Sequence, residues 1–151
     1  FRSRDEIAEL ERAVAERPAA RAAQQALAWD VTALVHGEDA ARRVRAASQA
    51  IFGRGELADL HEKTLGDALA NVPSARLARG DHDIVDLLTA TGQVASRSAA
   101  RRALEEGGAY VNNTRVDPSA SLVGLDQALY GRWLVVRRGR RSIGAVELVD
   151  A

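Results

Sequence analysis

The sequence predicts an α+β protein: a short N-terminal helical bundle joined by a linker to a small domain of two helices and β-hairpins. Three observations carry this. Apolar side chains recur at three- and four-residue steps through residue 53. Gly55, Gly66, Pro73 and Gly80 then punctuate the chain, and past Gly107-Gly108 the apolar period switches to two. The expected segments are therefore 1–53, 54–80 and 81–151.

In the first helix Ser3 and Glu6 have the spacing of a capping box, and Ile7, Leu10 and Val14 share a face. Pro18 suits the first turn of a second helix, whose stripe Leu27, Val31, Leu34 and Val35 ends at His36-Gly37. A third helix is expected from Glu38, with Val44, Ala47, Ile51 and Phe52 inward and Gly53 closing it. So alanine-rich a bundle buries little area and is expected to lean on a neighbouring structure. The linker carries at most a short helix around 64–71. Ile84, Val85, Leu87 and Leu88 make the face of a helix capped by Asp81 and stopped at Gly92. Another helix runs from the cap candidate Ser96 to Gly107-Gly108. Tyr110-Val111 and Arg115-Val116 flank a tight turn at Asn112-Asn113-Thr114, where Asn tolerates positive φ. A longer hairpin, 132–138 with 140–149, folds at Gly139.

The 151 residues (16.2 kDa) hold 21 basic and 21 acidic side chains, no Cys and no Met. Disulfides, thiol nucleophiles and cysteine zinc sites are excluded. The longest stretch without a charge, the ten residues 87–96, is half of what a spanning helix needs, so a soluble, cytoplasmic protein without membrane contact is expected. The sequence opens at Phe1 without an initiator Met or an apolar leader, which leads us to expect a piece of a longer chain. Charge balances in both parts, 12 against 12 over 1–80 and nine against nine over 81–151. A nucleic-acid reading must therefore rest on where the arginines sit.

His36, His61 and His82 share no ligand or catalytic spacing, and GxxxxGK[ST], GxSxG and HExxH are absent, so no catalytic or metal residues are assigned. The informative run is Ser96-Arg97-Ser98-Ala99-Ala100-Arg101-Arg102. Arg97 stands in a first helical turn, where the helix dipole disfavours a cation unless an anion such as phosphate joins it. Ion pairs Arg101–Glu105 and Arg102–Glu106 would run in the weaker orientation. Arg137, Arg138, Arg140 and Arg141 crowd one hairpin tip, a costly self-repulsion unless a polyanion is bound there. Arg42, Arg43 and Arg45 form a third basic patch. Tyr110 and Trp133 are expected in the core, with Tyr130 a stacking candidate for an unpaired base.

Ser96, Ser98, Ala100, Arg101, Arg102, Gly107, Gly108, Val111 and Asn112 make an SxSxARR…GGxxVN pattern. Over 81–149 the chain thereby resembles the small RNA-binding fold shared by a ribosomal protein, some pseudouridine synthases and tyrosyl-tRNA synthetases. Residues 29–53, WDVTALVHGEDAARRVRAASQAIFG, resemble the helical segment that follows the catalytic domain in bacterial tyrosyl-tRNA synthetases. The resemblance implies a C-terminal region gripping the anticodon stem and long variable arm of the tRNA for tyrosine, with Asn112 joining the arginines at the RNA. It also implies a homodimeric parent whose catalytic domain holds ATP; the HIGH and KMSKS motifs have no counterpart here, so no cofactor is expected. Two departures stand out: Glu105-Glu106 where basic or amide residues are common, and Asn113 where Gly is usual. An RNA-modifying or ribosome-associated factor, or a helical protein-interaction module, are the competing readings.

Overall fold

The computed structural model describes residues 2–140 and 142–150. The chain divides into two compact units, Phe1–Arg45 and Ala46–Ala151.

In the first unit, α1 (Arg4–Glu16) starts at the expected capping box: the Glu6 amide donates to Ser3 Oγ (3.3 Å) and the Ser3 amide to the Glu6 carboxylate (2.7 Å). Arg2 ties this end to α2 (Ala22–His36) through Asp30, at 2.6 and 3.1 Å. Pro18 does not open α2. It begins a separate 3-10 turn, Pro18–Ala20, because Arg21 at φ 53 turns the chain before α2 starts. His36 lies in the last turn of α2, as expected, and Gly37 caps it at φ 84 and ψ 159, outside the left-handed helical region. α3 (Glu38–Ile51) begins in this unit and ends in the second. Ala47 and Ile51 are buried, but Val44 and Phe52, both expected inward, are exposed. Phe52 follows the last helical residue, and the buried run of α3 that joins the sheet's core starts only at Ala47.

The second unit is built on a five-stranded sheet in the order β1-β7-β6-β3-β4, comprising β1 (Ser74–Ala78), β3 (Ala109–Val111), β4 (Thr114–Arg115), β6 (Trp133–Arg138) and β7 (Ser142–Val149). Strand β1 runs parallel to β7 and the other pairs are antiparallel. A two-residue pair, β2 (His82–Asp83) with β5 (Leu122–Val123), stands apart. Alternation along β6 sends Leu134 and Val136 to one face and Val135 to the other. On the first face α5 (Ile84–Ala90) and α6 (Arg97–Glu105) bury Ile84, Leu87, Leu88, Ala100 and Leu104 against Leu134, Val136, Val146 and Leu148. Gly144 lets the end of α5 seat closely: a Cβ there would lie 2.7 Å from the Thr91 Cβ.

The second face corrects the expected linker. Ala47, Ala50 and Ile51, a 3-10 turn at Leu57–Asp59, and α4 (Glu62–Leu69) bury Leu57, Leu65 and Leu69 against Val135 and Ala145. Residues 54–80 thus supply a covering layer and an edge strand, so the unit is larger than two helices and hairpins. The short helix sits at Glu62–Leu69, with His61 Nδ1 accepting from the Lys63 amide at 3.3 Å. Asp83, not Asp81, caps α5, accepting from the Val85 amide at 2.8 Å, because β2 keeps the backbone extended through Asp83. Asp81 instead accepts from the Leu125 amide at 3.0 Å.

Glu147 on β7 is gripped by Arg132, the residue before β6 (2.9 and 2.5 Å), and by Arg76 on β1 (2.9 Å). Its side chain is 11% exposed. The Arg132 hydrogen bonds, with Arg76 adding to them against partial desolvation, hold its carboxyl below the ordinary glutamate range. A lowered folded value means that the stabilisation is present above the unfolded value of about 4.3 and is lost as acid titrates the folded group. Urea unfolding at pH 7 and at about pH 3.5 should therefore show a larger acid loss in the parent chain than in Glu147→Gln. Equal losses would remove Glu147 from the acid response.

Candidate nucleic-acid interface

Helix α6 presents one outward face. Ser96 Oγ accepts from the Ala99 amide at 3.2 Å and meets Ser98 Oγ at 3.0 Å, so these two hydroxyls close the helix start. Arg97 forms an ion pair with Asp86 of α5. A carboxylate of the protein therefore supplies the anion that the first turn of α6 calls for, and the phosphate expected there has lost its reason. Arg101 and Arg102 are exposed, and among the described residues neither has a carboxylate within 4.0 Å; the i,i+4 pairs with Glu105 and Glu106 do not form.

The hairpin tip splits by strand parity. Arg138 is exposed and pairs in register with Ala109, on the sheet face covered by α6. The Gly139 amide donates to Gly108 O at 2.8 Å, fastening the tip to the loop that follows α6. The Gly108 amide in turn donates to Ala103 O at 2.7 Å, so this loop folds back on the last turn of α6. Arg140 is exposed beside this junction. Arg137 faces the opposite way and is 7% exposed. Its guanidinium donates to Asn113 Oδ1 (3.0 Å) and to the carbonyls of Gly139 (3.4 Å) and Arg140 (3.3 Å), and lies 5.8 Å from the Tyr110 ring centroid. Arg137 is therefore corrected from an RNA contact to an internal tie. Arg141 lies outside the described residues.

Asn112 is corrected likewise. With Asn113 it forms a two-residue turn at φ 47 and 68, as its sequence suggests. Its side chain, however, donates to Gln127 O (2.6 Å) and accepts from the Val135 amide (2.9 Å), leaving little for a ligand. Asn113 does what the usual Gly cannot: its amide donates to Ala50 O (2.6 Å) and Gly55 O (3.3 Å). Tyr130 keeps an exposed ring, with its hydroxyl donating to Leu60 O. Trp133 packs against the second core, and Arg132 lies 4.9 Å from its ring.

The patch on α3 is mostly engaged within the first unit. Arg42 bonds Glu38 (3.2 Å) and Asp39 (2.5 Å), Arg45 lies 5.7 Å from the Trp29 ring, and Arg43 is exposed. Sequence reasoning missed Arg115, an exposed cation on β4 whose guanidinium packs against Gly107 at the end of α6, where the helix dipole favours positive charge. A lone arginine in a two-residue strand carries no pattern that would flag it. Arg101, Arg102, Arg115, Arg138 and Arg140 thus gather around the C-terminal half of α6 and the loop after it.

This α+β arrangement is the fold of an aminoacyl-tRNA synthetase C-terminal domain. The solution structure of a tyrosyl-tRNA synthetase C-terminal domain is similar at a TM-score of 0.51 and 31% identity, covering 63% of this chain and 96% of that one. The chain belongs to the tyrosine–tRNA ligase SYY-like C-terminal domain family, whose model matches residues 64–144. Curated relatives named tyrosine–tRNA ligase match along nearly its whole length: 52% identical in Streptomyces coelicolor (100% of this chain), 53% in Thermobifida fusca (98%) and 55% in Mycobacterium tuberculosis (99%). The chain spans only 35–36% of those relatives. No described helix is long and apolar enough to cross a membrane.

Proposed function

We propose that these residues form the tRNA-binding C-terminal part of a tyrosine–tRNA ligase, gripping the anticodon stem and long variable arm of the tRNA for tyrosine. Arg101, Arg102, Arg138 and Arg140 meet the phosphates, with Arg115 beside them and Arg43 a further contact on the helical unit. The observation that carries this reading is a set of exposed guanidinium groups without carboxylate partners among the described residues, gathered around the C-terminal half of α6 and the loop after it in a chain of zero net charge. Such groups bind a polyanion by releasing its counterions, and they position a backbone without reading bases. ATP and tyrosine chemistry, and dimerisation, then belong to the remainder of the ligase, and the setting is the cytoplasm.

The test is fluorescence anisotropy with labelled tRNA for tyrosine, and with a tRNA of short variable arm, over a range of salt. The four arginines alone give a log–log salt slope of about −3, and Arg43 steepens it further. The long-armed tRNA should bind more tightly. A flat salt response, or equal affinity for both tRNAs and for an unrelated duplex, would overturn the proposal.

A further inference from the structure

Helix α2 carries apolar side chains on two opposite sides, with Gln25, Thr32 and His36 on a polar side between them. Ala22, Ala26, Trp29 and Ala33 form its half-buried side, and α1 packs on this helix. The opposite side carries Leu27, Val31, Leu34 and Val35 at helical spacing, exposed by 64, 51, 74 and 65%. From Ala22 to His36 the one Asp, Glu, Lys or Arg is Asp30, and Arg2 already holds it. A surface helix needs one apolar stripe toward its core; α2 has a second, and packing on α1 covers only the first. Four large aliphatic side chains in one stripe also exceed the scattered apolar residues of an ordinary surface. Neither α1 nor α2 has a buried residue. The stripe holds no cation, so a phosphate backbone has nothing to bind there.

We infer that the Leu27–Val31–Leu34–Val35 face is a docking surface for an apolar patch on the part of a tyrosine–tRNA ligase outside these 151 residues. The relatives that match 98–100% of this chain are almost three times its length, with only 35–36% of each accounted for. The family model describes residues 64–144 as a C-terminal domain. The remaining length of such a ligase therefore lies on the α1 side, joined covalently next to α2. Tethering raises its local concentration to the millimolar range, enough for a modest apolar face to stay covered. The inference rests on family membership and not on the tRNA reading.

Hydrogen–deuterium exchange tests it on two proteins: the 151-residue chain, and a Streptomyces coelicolor tyrosine–tRNA ligase in which these 151 residues replace the matching segment. Without tRNA, α2 amides should exchange at least about tenfold more slowly in the chimera. The pair Leu34→Glu and Val35→Glu, and the milder pair Leu34→Ser and Val35→Ser, should return them to the free-chain rate while α5 and β6 amides keep theirs. Those amides report that the second unit still folds. Equal α2 exchange in both proteins overturns the inference. So does slowing that requires tRNA, or slowing in the free chain that grows with its concentration, which would mark a second copy as the occupant.

Discussion

A chain carrying Arg101→Ala, Arg102→Ala, Arg138→Ala and Arg140→Ala is expected to bind tRNA about 100-fold more weakly at 0.1 M salt, with its salt slope reduced by about three. All four side chains are exposed and, among the described residues, unpaired with carboxylates, so their removal costs the fold little. The melting curve should stay where it was. Arg97→Ala serves as the contrast. Its guanidinium is already neutralised by Asp86, and its loss should change affinity by less than about twofold. If Arg97→Ala matched the quadruple variant, the phosphates would lie at the start of α6 and the proposed interface would be in the wrong place.

Arg137→Ala should act in the opposite way, on stability. Removing this buried guanidinium leaves Asn113 Oδ1 and the carbonyls of Gly139 and Arg140 without their donor and uncovers the Tyr110 ring. A loss of about 2–3 kcal/mol follows, read as a lower urea midpoint at unchanged slope. Arg137→Lys keeps the charge but not the planar fork, and should recover only part of it. A stability loss smaller than about 0.5 kcal/mol would mean that the hydrogen bonds around Arg137 hold nothing together.

What the sequence disclosed and what it hid divide along the range of the interactions involved. The Ser3–Glu6 capping box, the Ser96 cap and the Asn112-Asn113 turn are decided within four residues, and all three were readable. Strand β1 was not. Its partner β7 lies some seventy residues on, and with only Ala75 and Leu77 half-buried it presents no apolar run. Asp81 and Asp83 are equivalent as caps until the β2–β5 pairing fixes where the helix begins. The fate of Arg97 depends on how α5 packs beside α6, which no local pattern encodes. Arg137 could have been separated from Arg138. Trp133, Val135 and Arg137 alternate with Leu134, Val136 and Arg138, and period two places neighbouring arginines on opposite faces. Treating the tip as one charge cluster discarded that signal.

The strand order also bears on how the protein is made. β7 lies between β1 and β6, yet follows every other described strand in the sequence. During synthesis at about 5–20 residues per second, β1 waits several seconds with both backbone edges open. Arg76 within it and Arg79 just after it, together with Pro73 before it, are gatekeepers of the kind that deter neighbouring nascent chains from pairing with such a strand. Slowed translation across 79–141 would lengthen that exposure, and the ribosome rather than the finished fold would then set the yield of native protein.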